Sequence, residues 1–324
     1  MHYDVFNGDA DGIIALLQLR LAEPKQSTLV TGVKRDINLV AKVDTTEADT
    51  LTVLDISMAK NIDGLNRALD AGAKVFYADH HQAGDIPQHE NLDANIDLDA
   101  NTCTALIIDK LLEGKFHAWA IAAAYGDNLI AKADELADKA GYSQEQKEQL
   151  KELGTLINYN GYGAKVEDLH FSPDELFKAL LQYPSPFDVI ADSNSPYYQL
   201  QKAYQQDMEL ALAVKPTHQS ALLGMFELPN TAASRRISGV YGNLLANQNP
   251  DSAHAVLTEN VPCPENQEIT YTVSLRAPLS NKQGAGGICG SFPTGGGRAA
   301  AAGVNALPKE QVEAFIEAVE SYYR

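Results

Sequence analysis

Acidic and imidazole side chains end three of the short apolar segments in the first hundred residues of the chain. These side chains are those of Asp9, Asp11, Asp55, Asp79, His80 and His81. Carboxylate oxygens are hard ligands that suit Mg²⁺ and Mn²⁺, and neutral imidazole binds Mn²⁺ well. The combination predicts a divalent-cation site, although each motif taken alone is also typical of a surface turn or a helix cap.

The sequence around these acids leaves their individual roles open. Asp9 and Asp11 lie in a Gly-Asp-Ala-Asp-Gly turn, where the glycines let the backbone bend sharply and approach a ligand. Asp55 ends an apolar strand and is either the N-cap of the next helix or a ligand at the sheet edge. Asp127 follows the apolar helix 116–125 and is either its cap or a further ligand. No Lys or Arg occurs from residue 75 to 109, so the local field there is negative.

A glycine cluster near the end of the chain has a different chemistry. Seven glycines occur between residues 284 and 297, and Arg298 follows the last of them. Glycine-rich turns expose backbone N–H groups to phosphate, and an Arg side chain adds a bidentate donor. Arg276, which ends the segment Thr-Val-Ser-Leu-Arg, is a second candidate donor. The alanine run 299–302 predicts the start of a helix behind this loop.

Apolar, strand-like segments alternate with helical ones at the start of the chain. Strands are predicted at 3–6, 28–33, 51–55 and 74–78, and helices at 13–21 and 62–69. This order is typical of the α/β class, with a mainly parallel sheet flanked by helices. Ligands of such sheets bind beyond the carboxyl ends of the strands, where the candidate ligands stand.

The rest of the chain divides into a helical stretch and a second α/β part. Residues 102–157 have the pattern of consecutive helices, and a long helix at 197–214 ends before Lys215-Pro216. Capping boxes begin at Ser143 and Ser172. Further strands are predicted at 221–227, 253–258 and 269–276, and helices at 234–246 and 309–322. We therefore predict a first domain at 1–192, a helical linker at 193–218 and a second domain at 219–324.

The chain is acidic, and the acidity is uneven. Its 324 residues include 25 basic and 43 acidic ones, a net charge of −18. This charge argues against a sequence-independent grip on long DNA or RNA, which depends on many Lys and Arg contacts with phosphate. Residues 1–215 hold 18 basic and 34 acidic residues (−16), whereas residues 216–324 hold 7 and 9 (−2). Small ligands and metal cations remain suitable partners.

Cysteine spacing and hydropathy bear on the cellular compartment. Cys103, Cys263 and Cys289 form no Cys-x-x-Cys pair and predict buried thiols rather than a zinc knuckle or a disulfide framework. No run of 18 apolar residues and no secretory signal pattern is visible. These features predict a cytoplasmic protein with no membrane partner.

Taken in order, the motifs resemble those of the DHH/DHHA1 phosphoesterase family. Its four amino-terminal motifs are matched by Asp9-x-Asp11, Asp55, Asp79-His80-His81 and Asp127. Its glycine-rich carboxy-terminal motif is matched by Gly295-Gly296-Gly297-Arg298 and the alanines up to Gly303. The resemblance covers essentially the whole chain. It implies a catalytic DHH domain, a smaller α/β DHHA1 domain that binds substrate, and an active site in the cleft between them.

The resemblance also implies a set of ligands and substrate contacts. Two Mn²⁺ ions, with Mg²⁺ as the alternative, would be bridged by Asp55. The first ion would be held by Asn7, Asp9 and Asp55, and the second by Asp11, Asp55, His80 and Asp127. Asp79 and His81 would orient these ligands or contact the phosphate. The substrate phosphate would be held by Arg276, Gly295, Gly296, Gly297 and Arg298, while a water between the ions attacks phosphorus in line.

Two departures from the family pattern bear on substrate choice. Asn7 stands where many members have His, and Arg298 replaces the His of the glycine motif. Arginine favours a phosphate or the Hoogsteen edge of guanine. Similarity to the nanoRNase-like members therefore implies hydrolysis of very short linear oligonucleotides to mononucleotides. A 5′-phosphorylated diguanylate dinucleotide is the preferred substrate, and a homodimer is left open.

Other functions are compatible with the same motifs. A phosphatase for 3′-phosphoadenosine nucleotides and a cyclic dinucleotide phosphodiesterase belong to the same class of enzyme. A non-catalytic nucleotide or metal sensor is favoured by Asn7 alone. A processive exonuclease of the RecJ type is disfavoured by the net charge and by the lack of an extra nucleic-acid-binding domain in this sequence.

Overall fold

The computed structural model describes residues 1–261 and 268–324, which form the compact units Met1–Lys202 and Ala203–Arg324. The first unit contains strands β1 (His2–Phe6), β2 (Thr28–Val30), β3 (Thr50–Leu54), β4 (Lys74–Asp79) and β5 (Leu92–Ile96). Its helices are α1 (Ala10–Ala22), α2 (Met58–Asp70), α3 (Thr104–Leu111), α4 (His117–Gly126), α5 (Ile130–Lys139), α6 (Gln144–Gly161), α7 (Pro173–Leu180) and α8 (Pro186–Ala191). Helix α9 (Pro196–Leu212) contains the division between the units.

The sheet of the first unit determines where a ligand can bind. Its strand order is β2-β1-β3-β4-β5, and all pairings are parallel. The chain leaves β1 towards one edge of the sheet and leaves β3 towards the other. The carboxyl ends of β1 and β3 therefore flank a topological switch point, where such folds bind ligands. Phe6 pairs with Leu54 and Leu54 with Ala78, which aligns the residues that follow these three strands.

The central strands form because both of their faces are covered. Every residue of β1 is buried, and so are the last four of β3. Strands buried on both faces have near-continuous apolar sequences, as Leu51–Leu54 does. Helix α1 begins directly after β1 because the Asp9 side chain accepts the backbone N–H of Gly12 at 3.1 Å. The short loop keeps Asp9 at the sheet edge.

Helices α4 and α6 pack at backbone contact, and this contact fixes the elements that carry Asp127 and Asn158. A Cβ atom at Gly154 would lie 1.9 Å from the carbonyl oxygen of Ala122 and 2.9 Å from the backbone nitrogen of Gly126. Such overlap with main-chain atoms cannot be relieved by a rotamer change.

We expect Gly154→Ala to lower the free energy of unfolding by about 3 kcal/mol, because the helices must separate. Thermal unfolding in EDTA measures the change. The matched control is Gly287→Ala, where an added Cβ atom meets nothing within 4 Å. There alanine should be neutral or stabilise by up to about 1 kcal/mol. Equal stability of the two variants would contradict this account of the α4–α6 contact.

The second unit is a mixed sheet covered by helices. Its strands are β6 (Pro216–Gln219), β7 (Leu223–Leu228), β8 (Ala253–Glu259), β9 (Thr270–Arg276), β10 (Gly295–Gly297) and β11 (Ala301–Pro308). Its helices are α10 (Ala232–Gln248), α11 (Ala285–Gly290) and α12 (Val312–Tyr323). The strand order is β10-β11-β9-β8-β7-β6, in which only the β7–β8 pairing is parallel among the residues described. The predicted fold class, α/β with a second, smaller α/β part, is confirmed.

One local prediction is wrong. The alanine run 299–302 does not begin a helix. It turns the chain from β10 into β11, and Ala302 pairs with Leu275 of β9. Alanine favours helix, but the pairing of β11 with both β9 and β10 overrides that weak preference. The domain boundaries at 192 and 218 remain predictions.

The buried-thiol prediction is confirmed for Cys103 and Cys289, whereas Cys263 lies outside the described residues. Among the helices described, none is long and apolar enough to cross a membrane.

Candidate metal centre

The sheet brings the predicted acids together at its carboxyl edge. Asp9 follows β1, Asp55 follows β3, and Asp79 is the last residue of β4. All three side chains are buried, with at most 4% of each residue exposed. Asp11 lies on the first turn of α1 and is also buried. Four carboxylates therefore meet where the sheet order reverses.

Three of the predicted residues form a compact set of donor atoms. Ligand atoms of Asp55, His80 and His81 all lie within 4.8 Å of one another. His80 Nε2 is 3.5 Å from Asp55 Oδ1 and 3.6 Å from Asp11 Oδ2. A carboxylate with two imidazoles is a donor set for Mn²⁺ or Zn²⁺, and the adjoining carboxylates favour Mn²⁺.

The hydrogen bonds of the two imidazoles orient them for such a role. His80 Nδ1 lies 3.1 Å from the carbonyl oxygen of Thr102. A carbonyl only accepts, so Nδ1 carries the proton and the lone pair on Nε2 is directed towards Asp11 and Asp55. His81 Nδ1 donates to Asp79 Oδ1 at 2.7 Å in the same manner.

An orphaned oxygen supports the fit of a cation. Asp79 Oδ2 is buried and has no hydrogen-bond partner among the described residues. A buried carboxylate oxygen left unpaired costs free energy, and a nearby cation would offset that cost. The residues present therefore suit one divalent ion beside Asp55 and His80.

Asp55 is held in an unusual backbone conformation. Its φ of 58° lies in the left-handed region, which Asp and Asn tolerate better than most residues. Thr104 Oγ1 donates to Asp55 Oδ1 at 3.1 Å. Burial raises the pKa of Asp55 well above its ordinary value, and the charges of Asp11 and Asp9 act in the same direction. Asp55 is not a helix cap, because α2 begins after Ser57.

Asp11 ties the turn to helix α3. Its two carboxylate oxygens accept the backbone N–H groups of Thr104 and Ala105, each at 2.7 Å. A helix N-terminus stabilises a carboxylate there. Each oxygen keeps a second lone pair, so this bond leaves Asp11 able to bind a cation as well.

Asp9 has a cationic partner that the sequence analysis missed. Lys34 Nζ lies 2.6 Å from Asp9 Oδ2 and 3.0 Å from Asn158 Oδ1. Burial by itself would raise the pKa of Asp9, but the Lys34 charge and hydrogen bond hold it well below its ordinary value. Because β2, the neighbour of β1, ends at Val30, Lys34 lies in the following loop and no strand-ending pattern indicates its position at the site.

Asn7 and Asp127 border the cluster. Asn7 Oδ1 accepts the backbone N–H of Asp9 at 3.2 Å, and its Nδ2 donates to the carbonyl of Lys34 at 3.1 Å. Asp127 is the C-cap residue of α4; burial raises the pKa of Cys103, and the charges of Asp11 and Asp127 act in the same direction. Within the described part of the chain the compact donor set includes neither residue, so their roles as ligands remain predictions.

The predicted phosphate contacts lie in the second unit. Gly295–Gly297 form edge strand β10, and the backbone N–H of exposed Arg298 donates to the carbonyl of Ala301 in the turn to β11. Arg276 donates to Asn243 Oδ1 at 2.6 Å and to the Gly239 carbonyl at 3.1 Å, which anchors it to α10. The substrate-binding roles of these residues remain predictions.

Comparison with known proteins identifies the fold. No protein family and no curated protein matches the sequence. The structure is similar to exonuclease RecJ bound to manganese, with 15% identity, a TM-score of 0.59, and coverage of 99% of this chain and 89% of that one. RecJ of Thermus thermophilus in complex with Mn²⁺ has 16% identity and a TM-score of 0.58. The match covers 99% of this chain and 52% of that one, so this chain spans about half of that protein.

A third similar structure is a pGpG-specific phosphodiesterase, PggH of Vibrio cholerae. It has 15% identity, a TM-score of 0.53, and coverage of 100% of this chain and 99% of the other. At these identities the likeness shows the fold. The chain therefore has the fold of RecJ and PggH.

Proposed function

We propose that the protein is a Mn²⁺-dependent phosphoesterase that hydrolyses very short linear oligonucleotides to mononucleotides. A 5′-phosphorylated diribonucleotide of the pGpG type is the proposed substrate, and Mg²⁺ is the alternative ion. The observation that carries the proposal is the compact group of donor atoms of Asp55, His80 and His81 at the switch point of a DHH-type sheet.

The chain's own groups have distinct tasks in this reaction. A divalent cation there would supply a Lewis acid for a phosphoryl oxygen and would lower the pKa of water. Thr102 keeps the Nε2 lone pair of His80 directed at the carboxylates. Asp79 accepts the Nδ1 proton of His81, whose side chain is 39% exposed, and so orients this imidazole as a further donor to the cation.

Charge and the structural neighbours support a short substrate. The net charge of −18 disfavours a long polyanion. PggH is named for pGpG, and its length matches this chain almost fully. In the proposed complex, Arg298 and the glycine turn hold the substrate phosphate.

Two further enzymatic functions use the same site. A 3′-phosphoadenosine nucleotide phosphatase and a cyclic dinucleotide phosphodiesterase need the same carboxylates and imidazoles. A nucleotide or metal sensor would need them for binding alone. A product assay with Mn²⁺ over the full set of 5′-phosphorylated ribodinucleotides separates these functions. Mononucleotides from pGpG are the expected products, whereas tight binding without cleavage would support the sensor.

We expect Arg298→Ala to weaken substrate binding more than the chemical step. Loss of a bidentate contact to guanine or phosphate costs about 1–3 kcal/mol, which is a rise in KM of roughly fivefold to 150-fold. Selectivity among dinucleotides should relax, as measured by steady-state kinetics. The control is Lys282→Ala, which removes an exposed charge from the same unit. A fall in kcat at unchanged KM would contradict the role given to Arg298.

A further inference from the structure

Lys34 lies where the family resemblance would place a cation. We propose that the ammonium group of Lys34 takes the place of a second divalent ion beside Asp9, so that each chain binds one ion, at Asp55, His80 and His81. This inference rests on the proposed function, because it concerns the same site. It replaces the two-ion arrangement by one metal ion and one fixed ammonium.

The ammonium group has a complete set of partners. It donates to Asp9 Oδ2 at 2.6 Å and to Asn158 Oδ1 at 3.0 Å. It also lies 5.4 Å from the ring centroid of Tyr162, within the range of a cation–π contact. An ammonium has three donor hydrogens, and here an anion, an amide and an aromatic ring lie around it. These groups form a cation-binding site that is occupied by a side chain of the protein itself.

The main chain of Lys34 is fixed on both sides. Its backbone N–H donates to the carbonyl of Gly161 at 2.8 Å, and its carbonyl accepts from Asn7 Nδ2 at 3.1 Å. The end of α6 is pressed against the metal-binding turn, since a Cβ atom at Gly161 would lie 2.9 Å from the Gly8 carbonyl and 3.1 Å from Asp9 Cα. Lys34 is therefore held by the fold itself, and its side chain need not be drawn in by Asp9 alone.

Two of the ligands expected for the first ion, Asp9 and Asn7, already accept hydrogen bonds from the chain itself. Asp9 Oδ2 accepts from Lys34 and Asp9 Oδ1 accepts from Gly12. The amide oxygen of Asn7 accepts the N–H of Asp9. Asn7 thus braces the loops instead of facing an ion, which explains why an amide can stand where the family has an imidazole. A dication beside Asp9 would also meet the repulsion of the ammonium.

The donors proposed for the single ion have a different set of neighbours. His80 is oriented by the carbonyl of Thr102, His81 by Asp79, and Asp55 by the hydroxyl of Thr104. One charge on Lys34 and two on the metal would together offset the carboxylates that meet at the switch point. The site would then hold one metal ion and one ammonium group in place of two metal ions.

The test is the number of Mn²⁺ ions bound per chain. Titration calorimetry and metal analysis of the dialysed full chain should give one ion, and its EPR spectrum should be that of an isolated Mn²⁺. In Lys34→Met, which keeps the alkyl chain but leaves Asp9 unpaired, a second ion should bind and the spectrum should become exchange-coupled. Lys34→Arg should keep one ion. The control is Lys42→Met, which breaks an exposed pair with Asp36 and should also keep one.

The outcomes separate this inference from the function on which it rests. Two ions in the unaltered chain would overturn the role of Lys34 and leave the phosphoesterase standing. A single ion in a folded Lys34→Met chain would overturn it as well. No bound Mn²⁺ in the unaltered chain would overturn the proposed function itself. If Lys34→Met fails to fold by circular dichroism, the stoichiometry of the unaltered chain and of Lys34→Arg still decides.

Discussion

Replacing Asp55 by Asn should abolish turnover while leaving the fold intact. The variant removes the carboxylate that lies close to the donor atoms of both His80 and His81. Loss of metal binding and of its charge stabilisation should lower kcat/KM by at least about a thousandfold, or about 4 kcal/mol. Asn tolerates the left-handed backbone at this position, whereas Ala would add strain.

The same variant should not destabilise the metal-free protein. The pKa of Asp55 is raised, so the folded state holds its proton after the unfolded state has lost it. The Asp55 carboxyl therefore lowers the free energy of unfolding as the pH rises from its ordinary pKa towards the raised pKa. Asn does not titrate, so Asp55→Asn does not show this decrease. The melting temperature of the variant in EDTA at neutral pH should equal or exceed that of the unaltered protein.

The control for Asp55→Asn is Asp63→Asn, which changes a carboxylate on α2 outside the cluster. This variant should keep both activity and Mn²⁺ affinity. Activity within tenfold of the unaltered protein in Asp55→Asn would refute the assigned site. A large fall in the melting temperature would instead show that Asp55 serves the fold.

Replacing Asp4 by Asn should have the largest effect on stability. Asp4 is fully buried, and Arg20 donates hydrogen bonds to its carboxylate from Nε at 2.9 Å and from Nη2 at 2.6 Å. His2 and Ser27 complete the hydrogen bonds of the carboxylate. The variant leaves the buried guanidinium without a counter-charge, which costs about 3–5 kcal/mol. For a unit of this size the melting temperature should fall by about 10 °C.

The pH dependence of this effect has a definite sign. Burial alone would raise the pKa of Asp4, but its bonds to Arg20 and His2 hold it well below the ordinary value. The stabilisation is therefore present above that ordinary value and is lost as the pH falls below it. The difference between the unaltered protein and Asp4→Asn should shrink in acid, as urea unfolding at several pH values would show.

A surface acid provides the control for Asp4→Asn. Glu135→Gln removes the acidic partner of Lys139 in an exposed i,i+4 pair on α5. Such pairs contribute about 0.3–0.5 kcal/mol, so the melting temperature should hardly change. A loss as small as this in Asp4→Asn would contradict the account of a buried ion pair between Asp4 of β1 and Arg20 of α1.

The sequence predicted the parallel sheet because its strands have strong local patterns. Leu51–Leu54 is continuously buried and bounded by polar residues, as a strand covered on both faces should be. Strand β10 was missed because three consecutive glycines carry no strand signal. Its pairing with β11 depends on the turn between them, which the alanine run does not indicate.

The candidate site was predictable in part for the same reason. Side chains that follow parallel strands must meet at one edge of the sheet, and those of Asp55, His80 and His81 do so. Lys34 and Asn158 were not predicted, because they reach the site from a loop and from the end of α6. Their roles depend on where the chain brings backbone segments together, and single residue types do not encode that approach.

The most direct test of the proposed site is a crystal structure of the protein with Mn²⁺, with anomalous data collected at the manganese edge. We predict an anomalous peak within coordination distance of Asp55 Oδ1 and His80 Nε2. A manganese peak found only elsewhere would contradict the central claim. So would the absence of a peak between these two side chains in crystals that hydrolyse pGpG.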